Sequence, residues 1–177
     1  MLLIFLYGPP AAGKLTIAEK LAAKAGFKLL LNNVTNHAIT GVFPFGSQSF
    51  NRINEDLRID IIGEAARMQV DLVFTFVYGH GVDDSFVGRV IEAVGDRGKI
   101  LFVQLRCPKE VLLGRISNHS RQAHPKLTDK DVLLNLLDTQ ELDAPIPFVE
   151  NLTLDTSELS ADECASRIME RIPRKRH

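Results

Sequence analysis

Five short apolar runs punctuate the chain: LLIFLY (2–7), FKLLLN (27–32), VDLVFTFVY (70–78), KILFVQLR (99–106) and NLTLD (151–155). Most are continuously apolar rather than alternating, the pattern of strands covered on both faces of a parallel sheet. The segments between them carry a helical period. Residues 14–25 set Ile17, Leu21 and Ala25 on one stripe and stop at Gly26, a residue suited to the position after a helix. Residues 49–69 repeat Phe50, Ile53, Leu57, Ile61, Ala65 and Met68 at spacings of three and four, and residues 84–97 line up Phe86, Val90, Ile91 and Val94. CPKEVLLGRISN opens with Pro108 at a first helical position. TDKD (128–131) and SADE (160–163) have the form of capping boxes that start the last two helices. This alternation predicts an α/β fold: a three-layer α/β/α domain with a parallel sheet and right-handed crossovers. Residues 33–48 and 117–127 read as long irregular stretches, which in a compact domain are usually functional or mobile.

Composition narrows the setting. A chain of 177 residues is expected to form one domain that buries its own core. The formal net charge of -1 supplies no global field for nucleic acid or an anionic membrane, so neither is expected as a partner. Cys107 and Cys164 lie in no CxxC or Cys/His cluster, which fits a reducing compartment. MLLIFLY lacks a basic flank and is broken by GPP, and no apolar run reaches membrane-spanning length; the cytoplasm is the expected location.

The stretch that carries chemistry is GPPAAGKLT, Gly8 to Thr16, directly after the first apolar run. It matches G-x-x-x-x-G-K between a strand and a helix, the context in which that pattern cradles phosphate. The donors expected to converge on the anion are the backbone N–H groups from about Ala12 to Thr16, at the positive end of the following helix. Gly13 permits close approach, and Lys14 supplies an ammonium for the β- and γ-phosphates. Leu15 stands where many such loops place a hydroxyl that binds Mg²⁺; the metal must then rely on phosphate oxygens and water, with Thr16 one residue later as a contributor through water.

The arrangement GPP..GK.T resembles the loop of nucleoside monophosphate kinases, and VQLRCPKEVLLGRI and LTLDTSELSADECASRI resemble later parts of the small P-loop kinases, including shikimate and gluconate kinases. The resemblance implies the P-loop NTPase fold: a five-stranded parallel sheet in the order 2-3-1-4-5 with a small lid. Residues 1–177 would form a single such domain, with an acceptor-side insertion at about 33–69 and the lid at about 115–127. It further implies ATP and Mg²⁺ as cofactors, with Gly8, Ala11, Ala12, Gly13, Lys14, Leu15 and Thr16 at the phosphates. Arg115 and Arg121 would be lid arginines that stabilise charge on the transferring group. Asp155 and Thr156, with Ser157, match the loop that touches the adenine base, and they also suit an ordinary capped turn.

The acceptor side is less defined. Ligands in this fold sit beyond the carboxyl ends of the strands. Related kinases often carry an Asp after strand two; here the place reads Asn32-Asn33, which cannot accept a proton. His37 can act as base near neutral pH, or is a polar loop histidine. Asp83 and Asp84 are alternatives that also suit a helix cap. Arg52 and Arg58 suit an acceptor phosphate or carboxylate, or ion pairs with Glu55 and Asp56. Phe43 and Phe45 suit an apolar wall or simple packing under the loop.

The expected function is transfer of the γ-phosphoryl of ATP to a small-molecule acceptor, by a monomer or homodimer. The competing reading is a nucleotide-binding regulator or slow NTPase without such an acceptor. A kinase of nucleic-acid ends would want a basic groove on the acceptor side, and residues 70–96 hold no cationic cluster.

Overall fold

In the computed structural model, which describes residues 1–116, 127 and 129–172, the apolar runs become five parallel strands. They are β1 (Leu2–Tyr7), β2 (Lys28–Leu31), β3 (Leu72–Phe76), β4 (Lys99–Arg106) and β5 (Asn151–Asp155), in the order β2-β3-β1-β4-β5. The helices are α1 (Lys14–Ala25), α2 (Asn32–Thr40), α3 (Gln48–Arg67), α4 (Asp84–Val94), α5 (Lys109–Ile116), α6 (Lys130–Thr139) and α7 (Ala161–Glu170). The phosphate-loop strand β1 pairs with β3 on one side and β4 on the other, with Phe5 opposite both Phe74 and Phe102.

The two-fold pleat of β1 explains its unbroken apolar run. Ile4 and Leu6 face a layer with Ile17 and Leu21 of α1, Leu112 of α5, Leu133 of α6 and Ile168 of α7. Leu3, Phe5 and Tyr7 face the opposite layer, with Ile62 of α3 and Phe86 and Val90 of α4. The second layer is aromatic: the Phe5 ring meets Phe74 edge-on at 5.2 Å and also approaches Tyr7, Phe76 and Phe102. A large-to-small change such as Phe5→Ala would cost about 3–5 kcal/mol at such a position.

Local signals set most helix ends. Gly26 closes α1 in the left-handed conformation, its N–H donating to Ala22 O. Ser160 and Glu163 form a reciprocal capping box at α7, as the SADE sequence predicts. Two expectations need correction. The cap of α6 is Asp129, whose side chain accepts from the N–H groups of Asp131 and Val132, rather than a box begun at Thr128, which lies outside the described residues. Residues 33–48 are not irregular throughout, because α2 begins at the end of β2. That helix has no side-chain cap, and its residues are weak helix formers. Tertiary contacts made by its polar face hold it, as described next.

Candidate active site

The loop after β1 is shaped by backbone rather than side chains. A Cβ on Gly8 would lie 2.4 Å from Leu105 O of β4, so only glycine lets the chain leave the strand this close to its neighbour. Ala11 (φ 69°) and Gly13 (φ 93°) are both left-handed, and this pair of reversals coils the loop back towards α1. Gly13 occupies the cap position of α1 with no side-chain cap, and the first helical donor is Ile17 N–H, to Gly13 O. The N–H groups of Leu15 and Thr16 precede it and have no acceptor within the helix. Lys14 Nζ folds back over the loop and donates to Gly8 O at 2.6 Å and Pro9 O at 2.7 Å. Ala12 is fully buried and its N–H donates to Pro9 O, so it braces the loop. These features fit a polyphosphate: uncapped N–H groups at a helix N-terminus, close backbone approach and a lysine on the same loop.

Mg²⁺ fits only as part of that nucleotide. Among the described residues no cluster of three or more His, Cys, Asp or Glu is placed to hold a metal. Thr16 is exposed at the first turn of α1, where its hydroxyl can reach water. A bound Mg²⁺ would be held by phosphate oxygens and water, and would neutralise phosphate charge.

Arg115 and Thr156, assigned separate roles in the sequence, meet. Arg115 Nη1 donates to Thr156 Oγ1 at 3.0 Å and to Cys107 Sγ at 3.5 Å, and Nη2 donates to Thr156 O at 2.6 Å. Thr156 is buried, and its N–H donates to Arg106 O at the end of β4. Asp155 Oδ1 accepts from both Ser157 N and Ser157 Oγ, which holds its carboxyl below the usual aspartate range. The loop after β5 is thus rigid, with the Asp155 side chain turned inward on its own turn. Arg121 and the rest of residues 117–126 lie outside the described residues.

Beyond the end of β2 the structure separates residues that the sequence grouped. His37 is exposed, on the opposite side of α2 from Asn32 and Asn36, so it does not join their cluster. Arg52 is also exposed, in an i,i+4 pair with Asp56 at 3.5 Å. Arg58 is different. It is 5% exposed, makes no ion pair among the described residues, and is ringed by neutral acceptors. Its Nε donates to Thr35 Oγ1 at 2.9 Å, and its Nη2 donates to Asn32 Oδ1 at 2.6 Å and Asn36 Oδ1 at 2.7 Å. Its carbon also lies 5.6 Å from the centre of the Phe76 ring. Burial pushes its pKa down to about 10 despite the charges of Asp83 and Glu55 nearby.

Around this arginine stands a polar group that the sequence did not single out. Asn54 Nδ2 donates to Asn36 Oδ1 at 2.7 Å, while Asn54 Oδ1 is buried without a hydrogen-bond partner. The signal was present, since Asn32, Thr35, Asn36 and Ile39 follow i, i+3, i+4, i+7 spacing and form the inner face of α2. Asp83 takes the cap position of α4 but makes no cap bond; Oδ2 instead accepts from Gly79 N–H at 2.7 Å. Burial raises its carboxyl, the Gly79 N–H lowers it, Glu55 raises it, Arg58 lowers it and Asp84 raises it. Asp84 Oδ1 accepts a hydrogen bond from the Tyr78 hydroxyl. Phe45 is largely exposed, with its ring 4.9 Å from Phe50, whereas Phe43 is half-buried.

No protein-family profile matches the sequence, and no curated protein matches it. Solved structures do match in shape. A sugar kinase from Janibacter sp. HTCC2649 superposes with a TM-score of 0.69 at 18% identity, over 95% of this chain and 92% of that one. A gluconokinase from Sinorhizobium meliloti 1021 gives 0.63 at 17%, over 95% and 93%. A shikimate kinase from Acinetobacter baumannii, in complex with shikimate, gives 0.56 at 22%, over 95% and 90%. With its five parallel strands in the order β2-β3-β1-β4-β5 and its phosphate-loop sequence after β1, the chain has the fold of the small P-loop kinases.

Proposed function

We propose that the protein is an ATP-dependent phosphotransferase that moves the γ-phosphoryl group to a hydroxyl of a small molecule. The observation that carries this reading is the loop at Gly8–Lys14: left-handed reversals at Ala11 and Gly13, an uncapped α1 and a lysine turned onto the loop. The kinase fold of the neighbouring structures supports it. Backbone groups from Gly13 to Thr16 and the Lys14 ammonium would hold the phosphates, and the loop at Asp155–Thr156, braced by Arg115, would flank the base. Phosphoryl transfer depends mainly on alignment and charge stabilisation, which such a site supplies. The acceptor would enter beyond the ends of β2 and β3, over Arg58, whose Nη1 makes no hydrogen bond among the described residues. Arg121 would close the phosphates from the lid.

Two measurements test the reading. Lys14→Ala should weaken ATP binding at least tenfold by calorimetry; unchanged affinity would sink the phosphate-loop assignment. A panel of nucleosides, monophosphates, sugars, sugar acids and aminoglycosides should contain a compound that stimulates ADP release. Asn32 at the end of β2, where related kinases often carry an acid, favours a second reading as a nucleotide-binding regulator. That reading predicts ATP binding with no acceptor-dependent turnover.

A further inference from the structure

Asn32 is an amide whose Oδ1 is occupied by Arg58 Nη2, so His37, Asp83 and Asp84 compete for the proton that the acceptor hydroxyl loses. His37 is exposed on the outer side of α2. Asp84 Oδ1 is engaged by the Tyr78 hydroxyl, and Asp83 remains. The loop that carries it follows β3, which lies between β2 and the phosphate-loop strand β1. That loop therefore leaves the sheet between the end of β2, where Asn32 lies, and the end of β1, where the Gly8–Lys14 loop begins, and its Asp83 lies within electrostatic reach of Arg58.

Its carboxylate is also prepared for the task. Oδ2 is fixed by Gly79 N–H, and Oδ1 accepts no hydrogen bond among the described residues. It does not serve as a side-chain cap for α4. The charged groups facing it are Glu55 and Arg58 from α3 and Asp84 from its own helix. Glu55 is drawn to Arg89, with Nη1 to Oε2 at 3.2 Å, and Asp84 is engaged by Tyr78. Burial makes the Asp83 carboxylate a stronger base than an exposed aspartate.

We propose that Asp83, on the loop after β3, accepts the proton of the acceptor hydroxyl, in place of the carboxylate that related kinases carry after strand two. This rests on the phosphotransferase reading above. The acceptor oxygen forms its bond to the γ-phosphorus as the bond from that phosphorus to the β–γ bridging oxygen breaks. The electron pair leaves with the nucleoside diphosphate, and the hydroxyl proton passes to Asp83 and then to water.

The experiment compares wild type with Asp83→Asn and Asp83→Glu, using the stimulating compound from the acceptor panel. Asp83→Asn is expected to lower kcat by at least about 100-fold, with ATP affinity by calorimetry within threefold of wild type. It should also abolish the acid limb of the kcat/KM profile. Asp83→Glu, which retains a carboxylate, should recover part of the rate with that limb displaced. Carbon NMR of the free protein should show one carboxyl titrating above the ordinary aspartate range, and that signal should vanish in Asp83→Asn. Turnover of Asp83→Asn within threefold of wild type, or survival of its acid limb, overturns the proposal. A wild type that transfers phosphoryl to no compound overturns the phosphotransferase reading itself and this inference with it, an outcome distinct from an active wild type with an equally active variant.

Discussion

Arg58 Nη2 donates to Asn32 Oδ1 at 2.6 Å, tying the middle of α3 to the first residue of α2, directly after β2. The contact gives a reason for an amide at this position. A guanidinium that is 5% exposed needs acceptors, and Asn32, Thr35 and Asn36 supply three without adding a charge. The same bonds hold α2, which has no side-chain cap of its own. One buried cation thus ties α2 and α3 together beyond the end of β2.

That arrangement predicts opposite outcomes at one position. Asn32→Ala leaves Arg58 short of an acceptor and should lower stability by about 1.5–3 kcal/mol, the range for hydrogen bonds to charged groups. Asn32→Asp offers a carboxylate to a cation whose desolvation has already been incurred, and should raise stability at neutral pH. The gain should vanish as the new carboxyl protonates in acid. Urea unfolding of both variants measures the difference; an Asp variant less stable than wild type at neutral pH would show that burying the carboxylate outweighs the pairing.

Gly8 and Gly13 belong to one motif but should respond very differently to alanine. At Gly8 the added methyl meets Leu105 O at 2.4 Å, in a backbone conformation (φ 148°) that side chains avoid. Gly8→Ala should therefore disrupt the junction of β1 with the loop, costing well over about 2 kcal/mol. At Gly13 nothing lies within 4 Å, so only the left-handed backbone (φ 93°) is penalised, at about 1–2 kcal/mol. Thermal unfolding ranks the two, and equal losses would contradict the close approach at Leu105.

The central strands were legible because burial on both faces writes a continuous apolar run; the bounds 2–7 and 99–106 hold to the residue, as do those of the more polar edge strand 151–155. The turn after β1 was legible because its backbone geometry demands glycine at Gly8 and Gly13. The start of the 33–48 stretch was not. In NNVTNHAIT there is no capping signal and propensity is poor, so α2 depends on Arg58 and Asn54, distant in sequence. For the same reason sequence proximity to Asn32 made His37 look like a base, although the helix turns it outward. Arg52 and Arg58 shared one expectation, yet only Arg52 finds an acid, since only the exposed face of α3 carries Asp56 alongside it.

Arg115 and Thr156 should show energetic coupling. Arg115→Met removes the bonds to Thr156 Oγ1, Thr156 O and Cys107 Sγ and should lower stability by about 1–3 kcal/mol. Thr156→Val removes only the hydroxyl and should lose about 1 kcal/mol. The double variant should lose less than the two together, because the Oγ1 contact is counted in both. Strict additivity would mean that the Arg115–Thr156 hydroxyl contact contributes nothing in solution.

Asp83 should make stability depend on pH in the direction opposite to a salt-bridged carboxylate. Burial raises its folded pKa above the ordinary aspartate value of about 3.9. The folded state therefore holds this proton more tightly than the unfolded chain does. Its stabilising contribution is complete below the unfolded value and is lost as pH rises through the raised folded value. Asp83→Asn cannot lose that proton and keeps an oxygen for Gly79 N–H. The stability of the variant relative to wild type should grow across this window and level off above it, leaving Asp83→Asn the more stable protein at neutral pH. Unfolding midpoints for both proteins across the acid-to-neutral range test this, and parallel curves would refute it. A carboxyl that caps no helix by its side chain and makes no ion pair with the cation beside it costs stability where it ionises, a cost that an amide would avoid and that the proton-accepting role proposed for Asp83 requires.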